Sequence, residues 1–451
     1  MTDTISTAVT GPSVTGPSVT GPSVTGPSVT GPFVTGPSVT GPFVPPDPGP
    51  LVPGSGEAGA TPRPRPAAQQ PDWPDRAALR AVTEELAALP GLVLAEECDR
   101  LTERLAAVAR GEAVLLQGGD CAETFDGVTE EHVRATFGTL AEMRALITEG
   151  ARLPVVQLGR IAGQYAKPRS SPFETRSGET LPAYRGDLVN GLAFTLLSRA
   201  PDARRLHLGY RVSATTLNLL RALAARGDGE FWTSHEALVL EYEWALTRET
   251  PSGRYDLSAH LLWIGERTRQ LDGAHLDFVA GIRNPVAVKL GPTTTADEAL
   301  TIVDQLDPDR TPGRLTFISR MGADAVRDRL PELVSKVEAS GARVVWMCDP
   351  MHGNTFVMPS GHKTRDLDRI VDEVQGFFDV HAGLGTHPGG LHVEMTGEPV
   401  SECLGGSRPV TPEDVPSRYE SACDPRLNRR QSLDLARVVA KLYAHRPPSR
   451  R

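Results

Sequence analysis

Residues 286–319 read VAVKLGPTTTADEALTIVDQLDPDRTPGRLTFIS. The stretch opens on Val286–Leu290, an apolar run of strand length. Thr295 and Glu298 follow at the spacing of a capping box, ahead of Leu300 and Val303. Leu315–Ser319 is a second apolar run. Strand, helix and strand in this order are the repeating unit of an α/β fold.

The pattern extends both ways. Short apolar runs lie at Val114–Gln117, Val155–Leu158, Phe231–Thr233 and Leu261–Ile264 on the N-terminal side. Val344–Cys348 and Leu391–Val393 follow on the C-terminal side. Val326, Leu330, Leu333 and Val337 mark one intervening helix, ended by Gly341. Leu367, Ile370, Val371, Val374 and Phe378 mark another. Eight alternations predict an α/β chain folded as a (β/α)8 TIM barrel over residues 113–451. Ahead of it, Leu79, Val82, Leu86 and Leu89 have helical spacing, with Pro74 suited to the first turn. Leu101, Leu105 and Val108 mark a second helix before Gly111. Residues 71–112 are therefore expected to form a helical extension packed on the barrel or on a neighbouring subunit. From Val9 to Phe43 the unit Val-Thr-Gly-Pro-Ser/Phe occurs seven times. One valine per unit, between Gly and Pro, builds no core, so residues 1–70 are expected to be a disordered, passive tail.

A net charge of −9 argues against nonspecific nucleic-acid binding. Five cysteines, an odd and sparse set, do not suggest a disulfide framework and point to a reducing cytoplasm. No apolar run is long enough to span a membrane, and no secretory signal opens the chain.

Polar residues gather where the predicted strands end, and a barrel brings those ends to one mouth. Arg160, Lys167, Arg169, Arg267, Lys289 and Arg320 form a cationic set. A single arginine would read as a surface salt bridge. Six cations at one mouth repel each other unless anions bind, and guanidinium forks match phosphate and carboxylate. Cys121, His352, Glu394 and Asp424 form a second set, of thiol, imidazole and carboxylates. Such mixed ligation suits manganese, cobalt, iron or zinc. Spacing alone leaves a buried cysteine and a core histidine as the alternative. A redox pairing of Cys423 with Cys403 or Cys98 ranks below both readings.

Several segments carry a resemblance. They are Gln117–Phe125 (QGGDCAETF), Arg160–Ser170 (RIAGQYAKPRS), Tyr184–Asp187 (YRGD), Ser234–Leu238 (SHEAL) and Trp263–Ala274 (WIGERTRQLDGA). Val288–Pro292 (VKLGP), Ile318–Gly322 (ISRMG), Cys348–Thr355 (CDPMHGNT), Gly385–Gly390 (GTHPGG), His392–Gly397 (HVEMTG) and Ala422–Asn428 (ACDPRLN) continue the series. Together they resemble the signatures of class II 3-deoxy-D-arabino-heptulosonate 7-phosphate (DAHP) synthases, in family order. The resemblance implies a decorated barrel and the condensation of phosphoenolpyruvate with erythrose 4-phosphate, the first step of the aromatic pathway. It implies a divalent metal, manganese or cobalt first and zinc or iron also compatible, on Cys121, His352, Glu394 and Asp424. It implies a phosphoenolpyruvate clamp of Arg160, Arg267, Lys289 and Arg320, with Trp263 and Glu266 beside it. Lys167 and Ser170 would contact the sugar phosphate, and Glu266 with Lys289 would activate the attacking water. The expected enzyme is a cytoplasmic homo-oligomer without nucleic-acid or membrane partners.

One departure stands out. Family members regulated by aromatic amino acids can carry extra helices ahead of SHEAL. Here a helix-like run, Ala214–Arg226, leads almost directly into strand three. That suggests specialised metabolism, or an amino-sugar variant using an amino or imino analogue of erythrose 4-phosphate. A metal-binding scaffold or regulatory pseudoenzyme is the alternative of a different class.

Overall fold

A computed structural model of the chain describes residues 65–227 and 230–445. The chain divides after Leu51, and every described residue belongs to the second unit. The repeat at 9–43 lies outside the described residues.

Eight strands close into a barrel: Val114–Gly119, Val155–Arg160, Trp232–Glu236, Leu261–Ile264, Val286–Leu290, Leu315–Ser319, Val345–Cys348 and Gly390–Glu394. We number them one to eight. Each pairs in parallel with its sequence neighbours, and strand one pairs with strand eight. All eight apolar runs are strands. Strands one, two, three and eight run past the expected ends, into charged or glycine residues at the mouth. Those residues are buried among other polar groups, so apolar character alone misses them.

Gly119 shows why the mouth has its shape. It pairs with Arg160 on one side and Glu394 on the other. Its φ is +148°, and a Cβ there would lie 2.5 Å from the Arg160 carbonyl oxygen. Only glycine lets these two charged strand ends come together.

The helical extension packs on this same barrel. Helix Ala95–Ala109 buries Leu101, Leu105 and Val108 against the interior side chains Leu115, Leu158, Trp232, Leu261 and Ile318. It plugs the barrel, and burying each of these three side chains contributes about 2 kcal/mol. Helix Arg76–Ala88 buries Leu79, Val82 and Leu86 against helices Arg204–Ala224 and Leu240–Leu246. Pro74 is not in its first turn. Asp75 is the cap, its Oδ1 accepting from the Ala78 N–H at 2.9 Å, and Pro74 precedes it. The capping box forms as expected, with Glu298 N donating to Thr295 Oγ1 and Thr295 N to Glu298 Oε2.

Two boundaries move. The helix expected at 214–226 begins at Arg204 and ends at Ala224, because apolar positions Leu206 and Gly209 already face the core. Residues 65–70, assigned to the tail, lie against the barrel mouth as a strap. No described helix is long and apolar enough to cross a membrane.

Candidate active site

The strand ends surround a cleft of ≈ 370 Å³. Lys167 and Ser170 line one wall, from the loop after strand two. Glu266 and Arg267, Lys289, and Arg320 line the opposite side, from strands four, five and six. His352 and Asp424 complete the floor. Behind this lining lie Cys121, Arg160, Trp263 and Glu394, all buried. The structure thus brings all twelve expected site residues around one mouth.

Cys121 Sγ, one oxygen of Glu394 and one of Asp424 lie within 4.8 Å of one another. His352 lies outside that set but adjoins it through Glu394, with Nε2 3.1 Å from Glu394 Oε1. Its Nδ1 lies 2.8 Å from Asp349 Oδ2, which turns Nε2 towards the cluster. A bare imidazole nitrogen and a carboxylate oxygen at that distance repel unless a proton or a cation joins them. The Lys167 ammonium sits among the same atoms, 2.8 Å from Cys121 Sγ, 2.9 Å from Asp424 Oδ2 and 3.6 Å from Glu394 Oε1. The cluster therefore has the chemistry of a cation site, and its S, N and O donors fit a divalent transition metal.

Electrostatics keep the carboxylates ionised. Burial alone would raise Glu394, but His352, Lys167 and Arg365 hold it well below the usual carboxylate range. Burial also opposes ionisation of Asp424, and Lys167 is the largest charge holding it low. Burial pushes the Cys121 thiol up, assisted by a hydrogen bond with Cys423 and the charge of Glu394. Cys423 thus meets Cys121 rather than Cys403 or Cys98, and all five cysteines are free thiols.

The cationic side is less compensated. Arg267 and Arg320 make no ion pair among the described residues, although Arg320 Nη2 donates to the His352 carbonyl at 3.2 Å. Lys289 is lowered by burial, against the charge of Asp349. Two unpaired guanidinium groups beside a buried lysine favour an anion carrying more than one charge.

Arg160 lies beneath the cleft rather than on its wall. Its Nη2 is 3.1 Å from Glu394 Oε1, and its guanidinium stacks on Trp263 at 4.9 Å from the ring centre. Its Nη1 donates to His392 Nε2 at 2.5 Å. Arginine can only donate, so His392 carries its proton on Nδ1 and donates to Gln117 Oε1 at 2.6 Å. Gln117 Nε2 then donates to Ser234 Oγ at 2.8 Å. This chain of hydrogen bonds has one direction and fixes Arg160 in place. Burial, followed by the charges of Lys289 and Arg160, holds His392 well below its usual pKa, consistent with a neutral ring.

Sequence reasoning missed several neighbours. Lys363 reaches Asp424 Oδ1 at 2.9 Å from a hairpin formed by Thr355–Val357 and Lys363–Arg365. Arg365, fully buried on the same hairpin, lies 2.7 Å from Glu394 Oε2. Glu236 ends strand three at the cleft, and a Cβ on Gly265 would clash with its Oε1. Burial raises its pKa, against Lys289, Lys167, Arg160 and His352. Glu236 is where the sequence expected it, among the polar residues at the strand ends, and Asp349 stood inside the CDPMHGNT motif, the one available signal for it. The hairpin offered none.

A sequence profile of the Class-II DAHP synthetase family matches residues 59–229 and 225–440. A phospho-2-dehydro-3-deoxyheptonate aldolase of Streptomyces coelicolor is 54% identical over 440 residues, covering 86% of this chain and 98% of the relative. The protein of that name from Mycolicibacterium smegmatis is 48% identical over 434 residues, covering 84% and 93%. A solved phospho-2-dehydro-3-deoxyheptonate aldolase from Francisella tularensis aligns with a TM-score of 0.52 at 12% identity, covering 82% of this chain and 97% of that one. This last likeness is one of fold.

Proposed function

This chain belongs to the class-II DAHP synthetase family, and from that premise we propose that its cleft joins phosphoenolpyruvate to erythrose 4-phosphate. It is a DAHP synthase, an enzyme of the first step of the aromatic pathway. The observation that carries the residue assignment is the division of one cleft into a cationic side, where Arg267 and Arg320 have no ion pair among the described residues, and an S/N/O donor cluster.

In this reading Arg267, Lys289 and Arg320 hold the phosphate and carboxylate of phosphoenolpyruvate, with Arg160 fixed behind them. Trp263 and Glu266 bound that pocket. Lys167 and Ser170 face the sugar phosphate. Cys121, His352, Glu394 and Asp424 would hold a divalent ion, manganese or cobalt in our expectation, which supplies Lewis acidity toward the sugar aldehyde when bound. The clamp fixes the enol carbon over the aldehyde carbon, which removes the entropic cost of their meeting. Forming the carbon–carbon bond breaks the aldehyde C=O π bond, whose oxygen takes up a proton to become a hydroxyl, and leaves positive charge on the adjacent enol carbon. Water adds there, its proton passing to Glu266 with Lys289 beside it. Cleavage of the C–O bond then releases inorganic phosphate. We place the enzyme in the cytoplasm as an assembly of identical copies, with the repeat tail 1–64 outside the chemistry.

Purified protein should release phosphate only when both substrates are present, and chelation should stop it. Phosphate release with phosphoenolpyruvate alone, or unaffected by a strong chelator, would overturn this reading. Turnover with the amino analogue but not with erythrose 4-phosphate would move the substrate to the amino-sugar series.

A further inference from the structure

We propose that the strap 65–70 is part of the substrate site, and that Gln69 is a positioning residue for the wall carrying Lys167, Arg169 and Ser170. The inference rests on the reading that this wall faces the sugar phosphate.

The strap ties together three successive loops at the barrel mouth. At its start, the Pro66 carbonyl accepts from the Ala274 N–H at 2.9 Å, in the segment after strand four. At its end, Gln70 Nε2 donates to the Leu238 carbonyl at 2.7 Å, and Gln70 Oε1 accepts from the Leu240 N–H at 3.1 Å. Those residues follow strand three. Between them, Gln69 grips the loop after strand two. Its Nε2 donates to the Arg169 carbonyl at 3.1 Å, and its Oε1 accepts from the Arg169 N–H at 3.0 Å. One primary amide thus satisfies both backbone groups of one residue, as a neighbouring strand would.

The grip is reinforced from behind. Arg185 Nη2 donates to the Gln69 carbonyl at 2.6 Å, and the Arg185 carbonyl accepts from the Lys167 N–H at 2.9 Å. Gln69 and Lys167 therefore share a partner. The Arg169 guanidinium pairs with Glu174 at 3.2 Å, and Glu174 is held by the fully buried Arg199 at 2.6 Å. Gln69 itself adopts φ +60°, a left-handed conformation that costs a residue with a Cβ. The chain accepts that strain at the residue whose side-chain amide holds the Arg169 backbone.

The wall is otherwise a loop with little regular structure, and its three cleft-facing side chains depend on its backbone. Without the amide, the Arg169 N–H and C=O lose their partners and the wall loosens. The opposite side of the cleft, on strands five and six, has no bond to Gln69. The effect should therefore fall on one substrate.

The test uses the full chain carrying Gln69→Ala, Gln69→Gly or no change, with melting temperature recorded for each. Gln69→Ala should raise KM for erythrose 4-phosphate about tenfold, the scale set by losing the two hydrogen bonds that hold the Arg169 backbone. KM for phosphoenolpyruvate and kcat should stay within about twofold. Gln69→Gly removes the left-handed strain along with the amide, so it separates backbone from side chain. It should behave like Gln69→Ala. Wild-type kinetics in Gln69→Gly, an equal rise in both KM values, or a fall in melting temperature without any KM split would each overturn the proposal. If the unchanged chain fails to turn over both substrates, the functional reading fails instead.

Discussion

Lys289 holds Asp349 at 2.8 Å, Nζ to Oδ2, so the lysine of the cationic side leans on a fully buried carboxylate. The same oxygen lies 2.8 Å from His352 Nδ1. Burial opposes its charge, but His352 and Lys289 hold Asp349 well below the carboxylate range. One side chain thus joins the two halves of the cleft.

Asp349→Asn should therefore disturb both halves at once. The amide keeps the size and loses the charge. His352 loses the partner that orients its ring, and metal affinity should fall about 10–100-fold. Lys289 loses the main charge that raises its pKa, so the alkaline limb of the pH profile should move to lower pH. Calorimetric metal titration and the pH dependence of kcat/KM check the two parts. Unchanged metal affinity would leave Asp349 a partner of Lys289 alone.

Cys121→Ser should lose metal-dependent turnover while the protein stays folded. A thiolate holds a borderline or soft divalent ion better than a hydroxyl does. The residue is buried, and sulfur to oxygen is a small change in volume, so the melting temperature should move little. Metal content per chain, measured after dialysis, should drop at least about tenfold. Near-normal metal content would remove Cys121 from the ligand set.

The barrel was legible because its strands are short apolar runs set between longer amphipathic ones, as at Val286–Leu290 and Leu315–Ser319. Cys121, His352, Glu394 and Asp424 were legible as residue types at strand ends, and long motifs gave them roles. Arg365 and Lys363 were not, because a short polar hairpin has no periodicity to mark it. Gln69 was hidden twice. Its surroundings, Pro-Ala-Ala-Gln-Gln-Pro, resemble the tail in composition, and its partner Arg169 lies 100 positions away. A side-chain amide bonded to a distant backbone leaves no local pattern. The extension helix Ala95–Ala109 showed its apolar face, but the sequence could not say that the face closes the barrel.

Glu243 gives a pH dependence of stability. It is fully buried beside His235 and Ser258, 3.1 Å and 2.9 Å away. Burial raises its pKa from 4.5 to about 8. Folded protein therefore keeps this proton up to about pH 8, whereas the unfolded chain releases it near 4.5. Between those values unfolding releases a proton, so rising pH favours unfolding. The contribution is complete below the unfolded value and fades through the window, by on the order of 1 kcal/mol per pH unit. Glu243→Gln cannot titrate. Relative to wild type, whose neutral acid it mimics, it should be of similar stability at pH 5 and should become the more stable protein steadily towards pH 8. Denaturant unfolding at several pH values checks this, and parallel curves for the two proteins would refute it.

The last prediction concerns regulation. Helix Arg204–Ala224 ends eight residues before strand three begins at Trp232. The connection is Ala-Arg-Gly-Asp-Gly-Glu-Phe, seven residues. An isolated helix needs about 12–15 residues for marginal stability, so a pair of helices has no material here. An effector site built from inserted helices at this point is therefore missing from the chain. Inhibition at a distance requires a second site whose ligand prefers one state of the enzyme. Phenylalanine, tyrosine and tryptophan, alone or combined, should accordingly change the rate less than about twofold at saturation, a coupling below about 0.4 kcal/mol. Steady-state assays at fixed substrate, with calorimetry for each amino acid, decide the matter. Strong inhibition with measurable binding would mean that another surface, such as the extension helices, has taken over the effector role.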